Sequence, residues 1–410
     1  MAAAGETVRA IKACAPQVPV VLEGVVPSAY PERMLREEGA DLVCQGEPFD
    51  PIVNLLRFFG DRGSTTRLGD DQIEGLWARY EDDLVRSRHS PMFREVDRLP
   101  MTAWDLMPPA NYRAHHWHCF DRLDQRTPYA SIFTGLGCPY ACSFCSVNVV
   151  AGSANYRAHS PEHVLRELDV LVNRYGVRNV RILDNVFTVR LDLVEQLCDQ
   201  IMARGYDLNL WAYARVESIR NPEILVKMKK AGVNWLAYGF EAAHERVRQA
   251  VNKPSSRKVM EQAIEWTKQA GISIVGNYIF GLPEDDLESM RMSFDMAREH
   301  NFEWANFYCA MAYPGTKLYD QALAQGVALP KNWSAYGQYS PDAQPLATKY
   351  VRSREVLAFR DAAFKEYYTS PRYQGMIEKK FGPAAVAFVK KILSFDVPRV
   401  GADQPPPLSA

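Results

Sequence analysis

The sequence predicts an α/β fold built on parallel sheet, and three observations carry that prediction. Six short apolar runs alternate with amphipathic stretches between residues 129 and 311. A shorter strand–helix alternation fills the first 60 residues, and a polar segment broken by Pro91, Pro100, Pro108 and Pro109 separates the two. Strict alternation of strand and helix is the pattern of βα units, whose strands align in parallel beneath covering helices.

In chain order, Thr7 to Ala13 and Pro31 to Glu38 have helical periodicity, and Val18 to Leu22 and Leu42 to Cys44 are apolar strands. A further helix follows Gly46-Glu47-Pro48 and runs through Phe59. Residues 61–127 are expected to be a connector. The main strands are predicted at Tyr129–Phe133, Val180–Leu183, Leu208–Arg215, Trp235–Phe240, Ser273–Phe280 and Ala305–Met311. Helices are predicted at His163–Tyr175, Leu191–Arg204, Pro222–Ala231, Arg257–Gln269 and Asp286–His300. Beyond Pro330 the pattern is helical over Ser353–Tyr368 and again over Pro371–Phe395, and the tail around Pro405–Pro407 has the composition of a disordered end. The expected domains are therefore 1–60, 61–127, 128–320 and 321–410.

Composition excludes several classes. A net charge of −1 leaves no basic footprint for nucleic acid and no polybasic membrane signal. No apolar run approaches the roughly 20 residues that span a bilayer. Arg9 and Lys12 are not followed by an apolar core, so no signal peptide is expected. Eight cysteines in 410 residues do not make a disulfide scaffold, and a reducing, cytoplasmic home is expected.

The chemistry centres on Gly135-Leu-Gly-Cys138-Pro-Tyr-Ala-Cys142-Ser-Phe144-Cys145. Thiolates are the ligands of iron–sulfur clusters, and three of them leave one iron of a cubane open. Zinc would need a fourth ligand nearby, and buried inert thiols are the remaining alternative. Further along, Trp211, Tyr213, Arg215 and Glu217 alternate with small apolar residues, which places them on one face of a strand. His115, His116, His118 and Cys119 cluster in the connector, where they could gather a second metal or offer a proton donor over the site.

These residues resemble the radical SAM superfamily, in the branch that carries a cobalamin-binding domain. The cysteine motif with its aromatic Phe144 is joined by Leu183-Asp184-Asn185-Val-Phe187-Thr188, Gly239-Phe240-Glu241-Ala242, Asn252-Lys253-Pro254, Gly281-Leu-Pro283-Glu284 and Pro314-Gly315-Thr316. The resemblance implies a partial (βα)6 barrel with a helical C-terminal extension. It implies a [4Fe-4S] cluster on Cys138, Cys142 and Cys145, its open iron chelating S-adenosylmethionine (SAM). It places SAM against Phe144, Asp184, Asn185, Arg215, Glu241, Asn277 and Met311, with Arg215 on the SAM carboxylate. A structural ion pair at the rim is the competing reading for Arg215, and helix capping by Thr188 and Asp192 is the competing reading for the Asp184 stretch. The family's serine after Glu241 is Ala242 here.

Pro19-Val-Val-Leu-Glu-Gly24, Pro27-Ser28, Gly39-Ala-Asp41 and Gln45-Gly46-Glu47 resemble the second half of the branch's Rossmann-like domain. The first half, with its Asp-x-His-x-x-Gly loop, is not in the sequence, so a truncated unit without cobalamin is expected. That layout resembles the radical SAM diol dehydratases of aminoglycoside biosynthesis, acting on a pseudodisaccharide such as paromamine. The implied reaction is SAM cleavage to a 5′-deoxyadenosyl radical, then radical dehydration of an aminosugar with Tyr213 and Glu217 in proton transfer. The implied partners are a flavodoxin- or ferredoxin-type electron donor and a nicotinamide-dependent reductase. A cobalamin-dependent C-methyltransferase is the alternative, and a non-catalytic iron–sulfur carrier is a third reading.

Overall fold

The computed structural model describes residues 1–63, 73–80 and 83–400, so the proline-rich end lies outside the described residues. In chain order the elements are α1 (Ala2–Cys14), β1 (Val21–Leu22), α2 (Val25–Ala29), α3 (Pro31–Glu37), β2 (Leu42–Cys44), α4 (Phe49–Arg62), β3 (Leu76–Tyr80) and β4 (Asp83–Arg86). Then come β5 (Tyr129–Ile132), β6 (Gly135–Cys138), α5 (Val147–Ala151), β7 (Asn155–Ala158), α6 (Pro161–Tyr175), β8 (Asn179–Ile182), α7 (Leu191–Ala203), β9 (Asn209–Ala214) and α8 (Pro222–Lys230). The chain continues with β10 (Val233–Glu241), α9 (Glu245–Ala250), α10 (Arg257–Gln269), β11 (Ser273–Phe280), α11 (Leu287–His300), β12 (Trp304–Cys309) and α12 (Lys317–Ala324). Three helices end it: α13 (Ser353–Thr369), α14 (Pro371–Phe381) and α15 (Pro383–Leu393).

Two compact units result, and both are discontinuous, unlike the sequential domains expected. One gathers Met1–Glu95, Gly137–Asn155 and Met311–Ala343; the other gathers Val96–Leu136, Tyr156–Ala310 and the chain from Gln344 onward. The first holds a four-stranded sheet in the order β1-β2-β3-β4, with β1 and β2 parallel and the rest antiparallel. The hairpin β3–β4 corrects the expectation of a plain connector after residue 60. Leu76 and Ala78 bury one face of it beside Leu42 and Cys44, while Trp77 between them packs on the other face against the cluster of Met34, Leu35, Ala40 and Val43.

The second unit is organised by a parallel sheet in the order β12-β11-β10-β9-β8-β5, six βα-type strands as expected. Its helices start where the chain supplies acceptors for the orphan N–H groups. Ser160 and Asn221 accept from His163 and Ile224, each followed by a proline in the first turn. Asp286 and Ser289 cap each other at α11 in a reciprocal box.

Alternation divides each strand between two faces. Tyr238, which bonds Thr267 of α10 at 2.9 Å, and Phe280, edge-on to Phe359 of α13, face the helices. Trp211, Tyr213 and Trp304 face the other way, toward Trp117 in a 3₁₀ turn at His116–His118. That second face is called the inner face below.

β12 is an edge strand, which would leave a row of backbone groups open to mispairing. Helix α13 closes it with side chains. The Tyr368 hydroxyl donates to Ala305 O at 2.7 Å and accepts from Ala305 N at 3.0 Å, and Arg360 Nε donates to Phe307 O at 2.8 Å. Tyr373 adds a bond to Glu303 O. Gly281, at φ +80, lets β11 turn beneath Val356 of α13, because a Cβ there would lie 2.5 Å from Val356 Cγ1. The single helix expected over Pro371–Phe395 is two, broken at Gly382 (φ +84) before Pro383.

Tyr368→Phe removes both bonds to Ala305 while keeping the ring. It is expected to destabilise the protein by about 1–3 kcal/mol, the cost of leaving buried edge groups unmet. Urea unfolding checks this, and an unchanged midpoint would show that the edge is closed by packing alone.

Candidate active site

The three motif cysteines lie on one tight turn of the first unit. Cys138 ends β6, and Cys142 and Cys145 follow, half-buried, with Cys145 N donating to Cys142 O at 3.1 Å. No disulfide joins them. Gly137 has φ +84, and a Cβ there would sit 2.5 Å from Asn155 O, so the approach to Cys138 needs glycine. Asn148 of α5 donates to Tyr140 O at 2.7 Å and pins the middle of the turn. The Pro314-Gly315-Thr316 motif seats it from outside. A Cβ on Gly315 would lie 2.7 Å from Ala29 Cβ and 3.0 Å from Val149 Cγ1, Thr316 caps α12, and Leu318 N of that helix donates to Ser143 O at 2.8 Å. Phe144 is half-buried between Ser143 and Cys145, and Met311 is buried in the same unit.

The other cysteines contrast with these. Burial pushes the Cys44, Cys119, Cys198 and Cys309 thiols up to about 12, which leaves them inert. Cys119 also donates to Asn179 Oδ1 at 3.2 Å, and Asn209 Nδ2 donates to His118 O at 2.8 Å. Asn179 and Asn209 open β8 and β9, so the histidine-rich loop sits at the N-terminal ends of the strands. That corrects both expectations for it. It is at the opposite end from the strand ends where βα barrels do chemistry, and His116 is held near 4 and His118 well below the usual histidine range, chiefly by burial.

At the C-terminal strand ends of the second unit, Asp184 is buried and fully engaged. Its Oδ1 accepts from Thr134 N and its Oδ2 from Thr134 Oγ1, each at 2.7 Å, and Tyr156 Oη reaches Oδ2 at 3.4 Å. The expected contact with the SAM ammonium is corrected, because this carboxylate clamps the end of β5. Asn185 beside it is exposed. Burial raises the Asp184 pKa to about 6 against the hydrogen bonds from Thr134, which lower it.

Arg215 is buried and forks onto Glu217, Nε and Nη2 each 3.2 Å from a carboxylate oxygen. The strand ends at Ala214, and Val216–Ser218 is a 3₁₀ turn. Glu217 therefore does not share Tyr213's strand face, which corrects that expectation. The Tyr213 hydroxyl accepts from Arg181 Nη2 at 2.9 Å. Glu241 stands at φ +60 in a bulge at the end of β10 and forms a buried ion pair with Lys253. Gly239 makes room for that pair, since a Cβ there would lie 2.6 Å from Lys253 Nζ. Asn277 donates to Tyr238 O at 3.1 Å and accepts from Asn306 at 2.9 Å. Asp285, which stands in place of the last acid of the Gly-Leu-Pro-x-Glu pattern, accepts from Gly281 N and Leu282 N at 3.1 Å each and so folds the Gly-Leu-Pro turn.

The Asp184 clamp has a pH signature. Its folded-state pKa lies above its unfolded value, so its contribution is greatest when protonated and is lost as pH rises through about 6. Between pH 7 and pH 5 wild type is expected to gain about 1 kcal/mol relative to Asp184→Asn, by the usual linkage arithmetic. Paired urea titrations at the two pH values measure it, and a difference that is flat with pH would place the charge elsewhere.

Residues 132–297 match the Radical SAM superfamily. An uncharacterized methyltransferase of Pyrococcus horikoshii is 27% identical over 357 residues, covering 86% of this chain and 73% of that protein. The anaerobic magnesium-protoporphyrin IX monomethyl ester cyclase of Cereibacter sphaeroides is 27% identical over 350 residues, covering 84% of this chain and 54% of the cyclase. Among solved structures, the radical SAM methyltransferase TsrM of Kitasatospora setae, with cobalamin and a [4Fe-4S] cluster bound, gives a TM-score of 0.61 at 20% identity, covering 80% of this chain and 61% of TsrM. The chain thus spans little more than half the length of the cyclase and TsrM. These findings overturn the expected aminosugar dehydratase, because the relatives include methyltransferases, and the reductase partner loses its basis with it. The expected lack of cobalamin is likewise unsupported, since TsrM was solved with it. The parallel sheet, covering helices and three-cysteine turn accord with that match, and it is over residues 132–297 that the chain is similar to the Radical SAM superfamily.

Proposed function

We propose that the protein is a cobalamin-dependent radical SAM methyltransferase acting on a small molecule. The observation that carries this reading is the three-thiol turn, built so that glycine at 137 and 315 is needed to form it, in a chain whose relatives include methyltransferases. The turn fits a cubane cluster: three cysteines fall within eight residues, and two of them are half-buried rather than sealed in apolar core. A corrinoid also finds a fitting place. A groove of about 570 Å³ runs beside the C-terminal ends of β1 and β2, where parallel α/β sheets take ligands. Its lining includes Tyr30, Gln45, Trp77 and Arg86, with Arg33 and Arg36 paired to Glu37 and Glu32, and this polar wall suits the amides at a corrinoid's edge.

When bound, the cluster supplies the electron that cleaves SAM and the corrinoid supplies the methyl group. The chain's own residues bind and orient. Arg215, oriented by Glu217 along its Nε–Nη2 edge, turns the Nη1–Nη2 edge of its guanidinium to the SAM carboxylate. Glu241 is fixed by Lys253 in a strained backbone conformation of the kind kept at functional sites. Asn277 and Asn185 are the remaining strand-end contacts of this proposal, and Tyr213 faces the acceptor. A flavodoxin- or ferredoxin-type protein serves as electron donor.

The reading is tested with reconstituted protein, SAM and a low-potential reductant. S-adenosylhomocysteine is expected to form only when cobalamin is added. If 5′-deoxyadenosine were the sole SAM product with or without cobalamin, methyl transfer would be excluded. Cys138→Ala, Cys142→Ala and Cys145→Ala should each abolish the cluster absorbance and all SAM cleavage. Arg215→Lys should keep the cluster yet weaken SAM binding about tenfold, the loss of one charge-assisted fork at 1.4 kcal/mol per decade; normal SAM affinity in this variant would leave Arg215 as a rim ion pair with Glu217.

A further inference from the structure

Arg181 is the third residue of β8, on the inner face of the sheet, paired in register with Ser131 and Trp211. Its guanidinium carbon lies 4.7 Å from the centroid of Trp211 and 5.5 Å from that of Tyr213, and Nη2 donates to the Tyr213 hydroxyl. Tyr129 borders it from β5, its hydroxyl bonded by Ser131 at 3.0 Å. Among the described residues no carboxylate pairs with this cation. Its titratable neighbours, His115 and His118, are imidazoles held neutral partly by its charge.

Three buried side-chain nitrogens in this neighbourhood have no hydrogen-bond partner: Arg181 Nε, Trp211 Nε1 and His118 Nε2. His118 belongs to the loop at the N-terminal strand ends, its ring 4.9 Å from Trp211, whereas Arg181 Nη2 reaches Tyr213, two residues further along β9 toward its C-terminal end. Buried polar groups are nearly always satisfied, and each exception calls for an explanation. Arg181 is half-buried, so its charge keeps part of its hydration, yet leaving it without a countercharge still carries a cost. The Trp211 face offsets part of that cost, and water could satisfy the N–H groups, but neither supplies negative charge. An oxyanion supplies both, and the guanidinium fork matches its geometry.

We infer that Arg181, stacked on Trp211 beside Tyr213, receives an oxyanion of the methyl acceptor, so that the substrate is a small organic carboxylate or phosphoryl compound. This rests on the reading of the barrel as a SAM-dependent methyltransferase site, and it assigns the inner face a specificity residue one strand away from Arg215. Tyr213, which the sequence suggested for proton transfer, becomes a positioning residue that holds the Arg181 fork.

The test is binding, which needs no turnover. Benzoate, its neutral analogue benzamide, and inorganic phosphate are titrated calorimetrically into the reconstituted full chain. Benzoate or phosphate is expected to bind in the millimolar range and benzamide to bind at least about tenfold more weakly; the better anion names the carboxylate or phosphoryl class. Arg181→Gln should weaken the anion about tenfold or more, and Arg181→Lys, which keeps the charge but loses the fork, by less. Cluster absorbance and the melting curve serve as fold controls, and Arg181→Lys carries the comparison if the glutamine variant does not fold. No anion binding to wild type, equal binding of benzamide, or unchanged anion affinity in the variants would overturn the inference. Arg181-dependent anion binding without S-adenosylhomocysteine formation would fault the methyltransferase reading alone.

Discussion

One buried carboxylate sets the geometry of the strand ends. Asp184 receives both the amide and the hydroxyl of Thr134, so the segments just beyond β5 and β8 are fixed to each other by two short bonds. Gly135, the next residue, opens the strand that ends in Cys138. The stretch that precedes the cysteine motif is thus held by a side chain fifty residues away in sequence. The interior amplifies such bonds, because no water competes for them.

Several of the sequence words that mark the superfamily have this architectural character. Asp285 folds the turn after Gly281 by collecting two backbone amides. Gly315 permits the close approach that seats the cysteine turn, and Lys253 neutralises Glu241. These residues make a rigid frame, and a frame of this kind serves more than one reaction. The motifs therefore identify the barrel far better than they identify what happens inside it, which is why the dehydratase and methyltransferase readings could not be separated by them.

The barrel was legible because its strands are long enough to show period-2 burial and its helices carry explicit start signals. Ser273–Phe280 and Arg257–Gln269 are found at their expected limits, and the other barrel elements differ by a few residues at their ends. Glu217 was misread because alternation was extended past the true strand end. There the Ser218 hydroxyl donates to Arg215 O at 2.6 Å and winds the chain into a 3₁₀ turn, a local competition that hydrophobic patterning does not reveal. The pair β3–β4 was hidden because both its faces pack, Leu76 and Ala78 on one cluster and Trp77 and Leu84 on another, which leaves no clean apolar–polar alternation. Arg181 carried a signal that went unused: a lone cation between Val180 and Ile182 in an apolar strand must point to the inner face.

The unit that carries the cysteine turn is assembled from three separated segments, the last of them Met311–Ala343. During synthesis the thiols leave the ribosome long before Gly315 and Leu318, the residues that seat their turn. The intervening chain is nearly the whole barrel. Metal delivery to the nascent polypeptide would thus meet an unseated, reactive trio of thiols, so the fold itself makes cluster insertion a late event in maturation.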